Sequence, residues 1–432
     1  MTAHKHVLIL KKILFIALSF FFCKVNSQED ISYKKSVKLE IVNKKFKNTP
    51  EAEKQPYVIM VSLDGFRYDY PEKYNAKNIL EIGKNGSYVT RLIPSFPSKT
   101  FPNHYSIATG LYPAHHGIIS NSFYDKSREA EYKISKRYAV EDGSWYDGVP
   151  LWNLAQQQGM CSASYFWVGS EANINGMHPT YYYNFNQTRN YGYRVDRVLE
   201  WLQLPEKKRP HMITLYFSLV DTQGHRNGPN SEKLQEAVSI VDKQIGRLRA
   251  GIAKLDMPVY LIVTADHGMD DLTEEINIHD FIDLKDNEFY KGPVAMIYTK
   301  SKEEKERVYN TLSEQTSFKT YKQEAVPNYL NFKNQDRIGD LVLVCDAPSE
   351  LVYKKSKKSG PISPKGTHGY DPFENKNMGA IFYIEGPNIK KGYVQSAVEN
   401  VHIYPLVAHL LGLKITQPID GNLHALESMI ER

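Results

Sequence analysis

The sequence predicts an α/β fold with a mostly parallel central sheet flanked by helices and interrupted by inserted irregular segments. Three runs of apolar and β-branched residues, which start at Tyr57, Met212 and Val259, are typical of parallel strands buried on both faces. Residues 232–254 place apolar side chains at steps of three and four, which indicates an amphipathic helix between the second and third strands. The 432 residues are therefore expected to form one large domain around a βαβ crossover.

Two segments of the chain lack this periodicity. Residues 122–210 are rich in Tyr and Asn, and residues 300–365 are irregular and rich in Lys. Both are predicted as insertions, the first beside the ligand crevice and the second as a small α+β excursion. The chain then returns to the domain with a strand over 380–385 and a last helix near 400–412.

The N-terminus predicts export from the cell. Lys11 and Lys12 precede an apolar run that is too short to span a bilayer, and a small residue stands before Gln28. This pattern is typical of a secretory signal in a secreted or periplasmic protein, with a buried N-terminal helix as the alternative. The prediction divides the chain into a signal peptide, a flexible polar leader and a main domain: residues 1–27, 28–55 and 56–432.

The charge of the mature chain argues against a nucleic-acid-binding face. Removal of residues 1–27 takes away four lysines and no acid, so the formal net charge falls from +5 to +1. A nucleic-acid-binding surface needs a concentrated basic patch. The expected partner is therefore a small molecule, and no transmembrane anchor is expected once the signal is removed. Cys161 and Cys345 remain, either as a pair or as free buried thiols.

Each of the three apolar runs leads to an aspartate. These residues are Asp64, Asp221 and Asp266. In an open α/β sheet, ligands bind beyond the carboxyl ends of the strands, so the three acids are expected to converge on one crevice. Their convergence predicts a metal site.

Nearby histidines extend this prediction to two metal ions. Asp221 and His225 are four residues apart, and His368 lies in a glycine-bounded loop; one carboxylate with two imidazoles is a natural zinc set. The second set is expected to comprise Asp64, Asp266 and His267. Two divalent ions about 3.5–4 Å apart stabilise the attacking and the leaving oxygen of a phosphoryl transfer. Structural zinc would favour cysteine ligands, so the pattern indicates catalysis.

A hydroxyl nucleophile is predicted next to these ligands. Pro102 fits the first turn of a helix that runs to Gly110, which places Thr100 at the helix N-terminus. There, backbone N–H groups and the helix dipole favour an alkoxide and an incoming phosphate. The alternatives are that Thr100 only caps the helix, or that Ser95 or Ser98 is the nucleophile.

Several segments, taken together, resemble the nucleotide pyrophosphatase/phosphodiesterase family of the alkaline phosphatase superfamily. The resemblance covers roughly residues 57 to 430 and is greatest to compact, single-domain forms. It rests on Asp64-Gly-Phe-Arg, Ser98-Lys-Thr-Phe-Pro-Asn-His, Gly110-Leu-Tyr-Pro-Ala-His-His-Gly-Ile, Asn121, Asp221 with Gly224-His225, Thr264-Ala-Asp-His-Gly-Met and Gly366-Thr-His-Gly-Tyr.

The resemblance implies an alkaline-phosphatase-like fold, with residues 56–432 as a phosphodiesterase catalytic domain. It implies that Thr100 is the nucleophile and forms a covalent phosphothreonine, while Asn121 donates a hydrogen bond to a phosphate oxygen. It also implies two zinc ions, the first held by Asp221, His225 and His368, and the second by Asp64, Thr100, Asp266 and His267. The implied reaction is hydrolysis of nucleotide phosphodiester or phosphoanhydride bonds, which releases a nucleoside monophosphate.

Aromatic residues around the crevice are expected to select the substrate. Phe101 follows the nucleophile and is the expected wall for a nucleobase, and the resemblance suggests Tyr183 or Phe185 as the opposing face. Ordinary packing of these aromatics is the alternative. The chain departs from the family before Asp221, where it reads Phe217-Ser-Leu-Val and many relatives carry an acidic residue and proline, so the surroundings of that zinc ion are expected to differ.

The sequence is also compatible with three other functions. A choline-phospholipid phosphodiesterase would need an acidic and aromatic cage for its quaternary ammonium group. A phosphomonoesterase or phosphonate hydrolase of the same superfamily is a second alternative, and an inactive binding protein is a third.

Overall fold

The computed structural model describes residues 40–354 and 362–431. The predicted signal peptide and most of the Lys-rich stretch 354–358 therefore lie outside the described residues. The chain divides into two compact units, residues 1–42 and residues 43–432. Of the first unit the structure describes residues 40–42, which include the short strand Ile41–Val42.

Three adjacent strands form the centre of the main sheet: β1, Tyr57–Leu63; β2, Met212–Phe217; and β3, Val259–Thr264. β1 lies between the other two and is parallel to both, with Val58 opposite Met212 and Tyr57 opposite Val259. Nearly every residue of the three strands is buried, as expected for strands covered on both faces. The predicted parallel core is confirmed.

The rest of the main sheet extends on both sides of this core. All pairs are parallel except those of Phe382–Glu385, which runs antiparallel to both of its neighbours. Within residues 43–432 the strand order is Tyr181–Tyr182, Ser162–Tyr165, β2, β1, β3, Phe382–Glu385, Ser87–Val89 and Tyr393–Gln395. The prediction of a mostly parallel sheet is confirmed, and the strand predicted over 380–385 is its antiparallel member.

Three helices bear directly on the functional site: α1, Thr100–Thr109; α2, Leu219–Asn227; and α3, Glu232–Ile252. α3 is the predicted crossover helix, and Ser231 caps its N-terminus by accepting a hydrogen bond from the backbone N–H of Leu234. Its apolar stripe is buried at Leu234, Ala237, Val238, Val241, Ile245 and Leu248. The amphipathic pattern therefore predicted this helix correctly.

The second apolar run does not continue as a strand to Asp221. β2 ends at Phe217, and residues from Leu219 onward are helical. Asp221 therefore lies in the first turn of α2, and His225 lies one turn further along the same helix. The position of Asp221 at the edge of the sheet was predicted, but its secondary structure was not.

Shorter elements complete the fold. The other α-helices are Tyr70–Lys73, Lys77–Asn85, Pro113–His116, Arg137–Val140, Leu151–Gln157, Tyr191–Leu202, Lys302–Ser313 and Ile403–Leu410. The 3-10 helices are Ala52–Lys54, Gly143–Trp145, Glu206–Lys208, Ile278–Asp280, Gln323–Ala325, Asn328–Leu330, Lys376–Met378, Asn400–His402, Leu423–Ala425 and Glu427–Met429. Paired short strands are Ser122–Asp125 with Ala130–Lys133, Leu92–Ile93 with Val398–Glu399, Asp270–Asp271 with Gly366–Thr367, and Glu274–Asn277 with Ser349–Val352.

The predicted α+β excursion is a separate four-stranded antiparallel sheet. Its strands, in spatial order, are Glu288–Tyr290, Val294–Tyr298, Leu341–Val344 and Lys319–Lys322. It packs around its own apolar cluster, which includes Leu284, Ile297, Val308 and Leu343. Two of its strands lie before residue 300, so the excursion begins earlier in the chain than predicted.

Residues 43–55, assigned from the sequence to the flexible leader, belong to the larger compact unit. Asn48 is buried; its side-chain amide donates to the carbonyls of Glu206 and Arg209, and its Oδ1 accepts from the backbone N–H of Cys161. Cys161 and Cys345 are both free and buried. Among the described residues, the helices are too short or too polar to cross a membrane.

One buried ion pair ties the α+β excursion to the rest of the domain. Arg337 donates from Nε to Asp125 Oδ2 at 3.0 Å, and from Nη1 to the carbonyls of Gly117 at 3.0 Å and Trp145 at 2.7 Å. Both partners of the ion pair are buried. Gly117 has φ +79°, and a Cβ there would lie 2.2 Å from Arg337 Nη1. The Arg337 guanidinium therefore occupies space that a side chain at position 117 would fill.

Replacing this guanidinium should destabilise the whole domain. Arg337→Ala breaks a buried ion pair at Asp125 Oδ2 and removes the donor to two carbonyls, so the free energy of unfolding should fall by about 3–5 kcal/mol. Denaturant unfolding followed by circular dichroism measures this change. Lys84→Ala, which removes an exposed ion pair with Glu81, is the control and should leave the midpoint unchanged. Equal midpoints for the two variants would contradict the assigned role of Arg337.

Candidate metal centre and active site

The carboxyl ends of β1 and β3 bring the first three candidate ligands together. Asp64 directly follows β1, and Asp266 and His267 lie just beyond the end of β3; all three are buried. The backbone N–H of Gly65 donates to Asp266 Oδ1 at 3.1 Å, which joins the two strand ends. Gly65 has φ +70°, and a Cβ there would lie 2.8 Å from the Cα of Asp221, so the three segments approach as closely as a glycine permits.

α2 and a nearby loop supply the other predicted ligands. The backbone N–H of Asp221 donates to the carbonyl of Asp64 at 3.0 Å. Asp221 Oδ1 lies 3.3 Å from His225 Nε2 and 3.7 Å from His368 Nε2. The ring of His368 in turn stacks on that of His267, with 3.5 Å between the ring centroids. Candidates that are distant in sequence thus form one cluster.

Thr100 is the first residue of α1, and its hydroxyl faces the cluster. Its Oγ1 lies 3.1 Å from His267 Nε2. The N-cap position belongs to Lys99, whose side chain makes no capping hydrogen bond, so Thr100 does not cap the helix. The two alternative nucleophiles are buried and engaged: Ser95 Oγ donates to Asn400 Oδ1 and Ser98 Oγ donates to the carbonyl of Tyr370.

The three histidines are oriented in the same way. Each Nδ1 contacts a backbone carbonyl, which can only accept a hydrogen bond, so Nδ1 carries the hydrogen and Nε2 presents its lone pair to the cluster. The contacts are His225 to Gly366 O at 2.7 Å, His267 to Gly268 O at 2.8 Å and His368 to Ser98 O at 2.8 Å. A backbone contact on the far nitrogen is typical of histidines that bind metal ions.

The carboxylates of the cluster have oxygens without hydrogen-bond donors. Asp64 Oδ1, Asp221 Oδ1 and Asp266 Oδ2 are buried and accept no hydrogen bond from the described residues. His267 Nε2 lies 3.6 Å from the first of these oxygens and 3.0 Å from the last, so lone pairs face lone pairs. A divalent cation between them would turn this repulsion into coordination. The carboxylate and imidazole donors fit zinc.

The grouping of the ligands differs in part from the predicted sets. Ligand atoms of Asp221, His267 and His368 all lie within 4.8 Å of one another. A second group within the same limit comprises Asp64, Asp266 and His104. His267 lies between the two groups, and the division into two sets of ligands stays a prediction.

Burial and neighbouring charges shift the pKa values of residues in the cluster. Burial raises the pKa of Asp64 well above its usual range, and the charges of Asp266 and Asp221 raise it further. Burial and the neighbouring His267 and Lys99 lower the pKa of His368, which keeps its imidazole neutral and able to act as a ligand.

His104 was not among the candidates from the sequence. It is fully buried, and its Nδ1 lies 3.3 Å from Asp266 Oδ2 and 2.9 Å from the carbonyl of Thr100. Its Nε2 lies 2.8 Å from Ser62 Oγ. It follows Thr100 by four residues in the predicted helix, and this spacing places both on one helix face. The four-residue spacing from Thr100 is therefore the sequence signal that could have identified His104.

A cavity of about 230 Å³ opens onto the cluster, and Asp64, Thr100 and Asp221 contribute to its lining. Phe101 and Phe185 also line it, and Phe185 is 41% exposed. Tyr183 is 1% exposed and stacks on Tyr165, with 4.4 Å between ring centroids. Of the two aromatic candidates for the wall opposite Phe101, only Phe185 therefore lines this cavity.

Further residues line the cavity that sequence reasoning did not identify. Tyr216 donates a hydrogen bond from its hydroxyl to Asp64 Oδ2. Glu171 forms an ion pair with Arg137, so neither carries a free charge into the cavity. The remaining lining residues are Ile134, Val140, Phe166, Trp167, Val168, Gln187, Ser218 and Thr222.

Asn121 contacts the start of α1. Its Oδ1 accepts a hydrogen bond of 2.9 Å from the backbone N–H of Phe101. The backbone N–H of Phe101 is therefore already hydrogen-bonded. The same contact orients the side-chain amide of Asn121, and its Nδ2 can donate to another group.

Comparisons with known proteins agree with this geometry. Residues 58–371 match the family model "Type I phosphodiesterase / nucleotide pyrophosphatase". The chain is 34% identical over 397 residues to the venom phosphodiesterase CdcPDE of Crotalus durissus collilineatus, a match that covers 88% of this chain and 47% of that protein. It is 34% identical over 398 residues to human ectonucleotide pyrophosphatase/phosphodiesterase family member 1, covering 88% of this chain and 42% of the relative. The chain thus spans about half the length of these curated relatives.

Solved structures show the same fold. Murine ectonucleotide pyrophosphatase/phosphodiesterase 5, as an inactive threonine-to-alanine variant in complex with AMP, superposes with a TM-score of 0.81 at 30% identity. The match covers 88% of this chain and 100% of the murine chain. The human counterpart gives 0.81 at 29% identity. The predicted alkaline-phosphatase-like fold is confirmed, and the chain belongs to the type I phosphodiesterase/nucleotide pyrophosphatase family.

Proposed function

We propose that this protein is a secreted, zinc-dependent phosphodiesterase/pyrophosphatase that hydrolyses nucleotide phosphodiester or phosphoanhydride bonds and releases a nucleoside monophosphate. The observation that carries the proposal is the Thr100 hydroxyl at a helix N-terminus, 3.1 Å from His267 Nε2 and beside three carboxylates with unpaired oxygens. The murine relative that is inactive carries a threonine-to-alanine substitution, which supports a threonine nucleophile here.

Two zinc ions would complete the site. The proposed ligands of one are Asp221, His225 and His368, and those of the other are Asp64, Thr100, Asp266 and His267. When bound, the two ions would lower the pKa of the Thr100 hydroxyl and neutralise charge on the leaving oxygen.

The residues of the chain then account for both steps of the reaction. Thr100 Oγ gives up its proton to solvent and attacks the phosphorus in line, the leaving group departs with the electron pair of the broken P–O bond, and a phosphothreonine remains. Water then attacks the same phosphorus, the bond to Thr100 breaks, and the hydroxyl regains its proton. Two displacements retain the configuration at phosphorus. The N-terminus of α1 and the side-chain amide of Asn121 stabilise negative charge on the phosphoryl oxygens.

The cavity favours a nucleotide over a cationic headgroup. Phe101 and Phe185 offer aromatic faces of the kind that stack on a nucleobase. A choline headgroup would need an acidic cage, but Glu171 already pairs with Arg137. The complex of the murine relative with AMP supports a nucleotide substrate for this chain.

Lys99 favours a diester over a monoester. A monoesterase needs a cationic clamp for the extra charge of its substrate, and Lys99 is the lysine adjacent to Thr100. Its Nζ donates instead to the carbonyl of His368 at 2.7 Å. An inactive binding protein is disfavoured because Thr100 and all six other proposed ligands come together in one cluster.

Export is part of the proposal. The human relative is named an ectonucleotide enzyme and the Crotalus relative a venom enzyme, and both names agree with a predicted signal over residues 1–27. Detection of the protein outside the cell, with a new N-terminus near Gln28, would support this part.

Product analysis is the direct test of the reaction. With zinc supplied, the protein should convert a dinucleoside polyphosphate or the nitrophenyl ester of thymidine monophosphate to a nucleoside monophosphate. Nitrophenyl phosphate should be hydrolysed more slowly, because Lys99, the lysine next to Thr100, is directed to the carbonyl of His368 and does not balance its second charge. Chromatography of the products together with the rate of nitrophenol release measures both. A faster rate on the monoester would favour the monoesterase alternative.

Removal of the nucleophile should abolish turnover. Thr100→Ala is expected to lower kcat on the diester by at least about 10³-fold, because it removes the hydroxyl that would form the phosphoryl intermediate. The variant should retain the fold and the other six ligands. Thr100→Ser, which keeps the hydroxyl, is the matched control and should keep a measurable rate. An unchanged rate for Thr100→Ala would exclude Thr100 as the nucleophile.

Tyr216 should tune zinc affinity through Asp64. Its hydroxyl donates to Asp64 Oδ2, so Tyr216→Phe is expected to weaken zinc binding about 10–100-fold. Competition with a chromophoric chelator measures this affinity without an activity assay. Tyr70→Phe is the matched control, since the buried hydroxyl of Tyr70 makes no hydrogen bond among the described residues. If both variants bind zinc as tightly as the native protein, the link through Tyr216 is wrong.

A further inference from the structure

Ser218 presents a hydroxyl to the cavity that the proposed chemistry does not use. The residue is 6% exposed and lines the cavity, and its Oγ has no hydrogen-bond partner among the described residues. It occupies the N-cap position of α2, where a serine usually accepts a hydrogen bond from the helix, but it makes no side-chain capping bond. A buried hydroxyl without a partner costs free energy unless a ligand supplies one.

Two further neutral polar side chains continue this surface. Thr222 lies one helical turn after Ser218, and its Oγ1 donates to the carbonyl of Ser218 at 2.8 Å. Gln187 donates from Nε2 to Thr222 Oγ1 at 3.5 Å. All three line the cavity, and we call Ser218, Thr222 and Gln187 the polar strip.

The strip lies between the metal ligands and an aromatic wall. Its inner end is next to Asp221, which follows Ser218 by three residues in α2. Its outer end is next to Phe185, two residues before Gln187. A substrate whose phosphorus lies at Thr100 and whose base stacks on Phe185 would place the group that joins them along the strip.

The polar strip is uncharged, and the cavity wall away from the metal ligands carries a paired cation. Arg137 is the cation of the described lining, and it pairs with Glu171 and Glu141. Hydroxyl and amide groups without net charge are suited to hydroxyl groups of a ligand, each of which both donates and accepts. In a nucleotide the group between phosphate and base is a pentose with free hydroxyls.

We propose that Ser218 is a specificity-determining residue that hydrogen-bonds a pentose hydroxyl of the substrate, supported by Thr222 and Gln187. The inference rests on the proposed phosphodiesterase function and deepens it. Under this proposal, the protein recognises the sugar of the released nucleoside monophosphate as well as its base.

Three chromogenic diesters test the proposal: the nitrophenyl ester of uridine monophosphate, the same ester of dideoxyuridine monophosphate, and bis(nitrophenyl) phosphate. Ser218→Ala should lower kcat/KM on the uridine ester by about three- to tenfold, the worth of one hydrogen bond to a neutral partner. The other two rates should stay unchanged, because neither substrate carries the pentose hydroxyls.

Ser231→Ala is the matched control. Ser231 is also an N-cap serine, but its hydroxyl does cap α3, so this variant should lower the unfolding midpoint and leave the ratio of the three rates unchanged. Ser218→Ala removes no capping bond and should keep the native midpoint.

The outcomes separate the two proposals. If the native protein hydrolyses none of the three diesters with zinc supplied, the proposed function itself fails. If it hydrolyses them and Ser218→Ala changes all rates equally or none, the function stands and the role of Ser218 in sugar recognition is overturned.

Discussion

Three carboxylates at one edge of a parallel sheet, two of them buried and one half-buried, are the constraint on which the rest of this structure depends. Taking a charged group out of water costs several kcal/mol unless an opposite charge or hydrogen bonds replace its hydration. Asp64, Asp221 and Asp266 each retain a buried oxygen without a donor. The surrounding contacts orient these groups but leave one oxygen of each acid without a donor, and bound cations would supply the missing partners.

Parallel strands explain why distant residues could be assigned to this site from the sequence. The carboxyl ends of such strands share one edge, so an acid after each apolar run must lie near the others. Asp64 and Asp266 follow directly from this rule. Pro102, as a residue of the first helical turn, likewise placed Thr100 at a helix N-terminus. These predictions rest on buried periodic elements, for which the spacing of apolar residues determines the geometry.

Other features depend on contacts that no local pattern encodes. Tyr183 and Phe185 are two residues apart, so strand alternation would place both on one face. The strand ends at Tyr182, however, and the side chains diverge: Tyr183 packs in the core and Phe185 lines the cavity. Arg337 lies 212 residues from Asp125, and its role appears only when the chain is folded. The α+β excursion likewise shows no regular spacing of apolar residues that would mark its first residue.

α2 links the metal site to the substrate cavity. Residues three and four apart lie on one helix face, so Ser218, Asp221, Thr222 and His225 form a single continuous surface. Two of these residues are proposed zinc ligands and two line the cavity toward the aromatic wall. A shift of this one helix would therefore move the metal ligands and the polar strip together. Metal ions held by Asp221 and His225 would therefore also set the position of the hydroxyls proposed to contact the sugar, and one helix would support both the reacting phosphorus and the pentose.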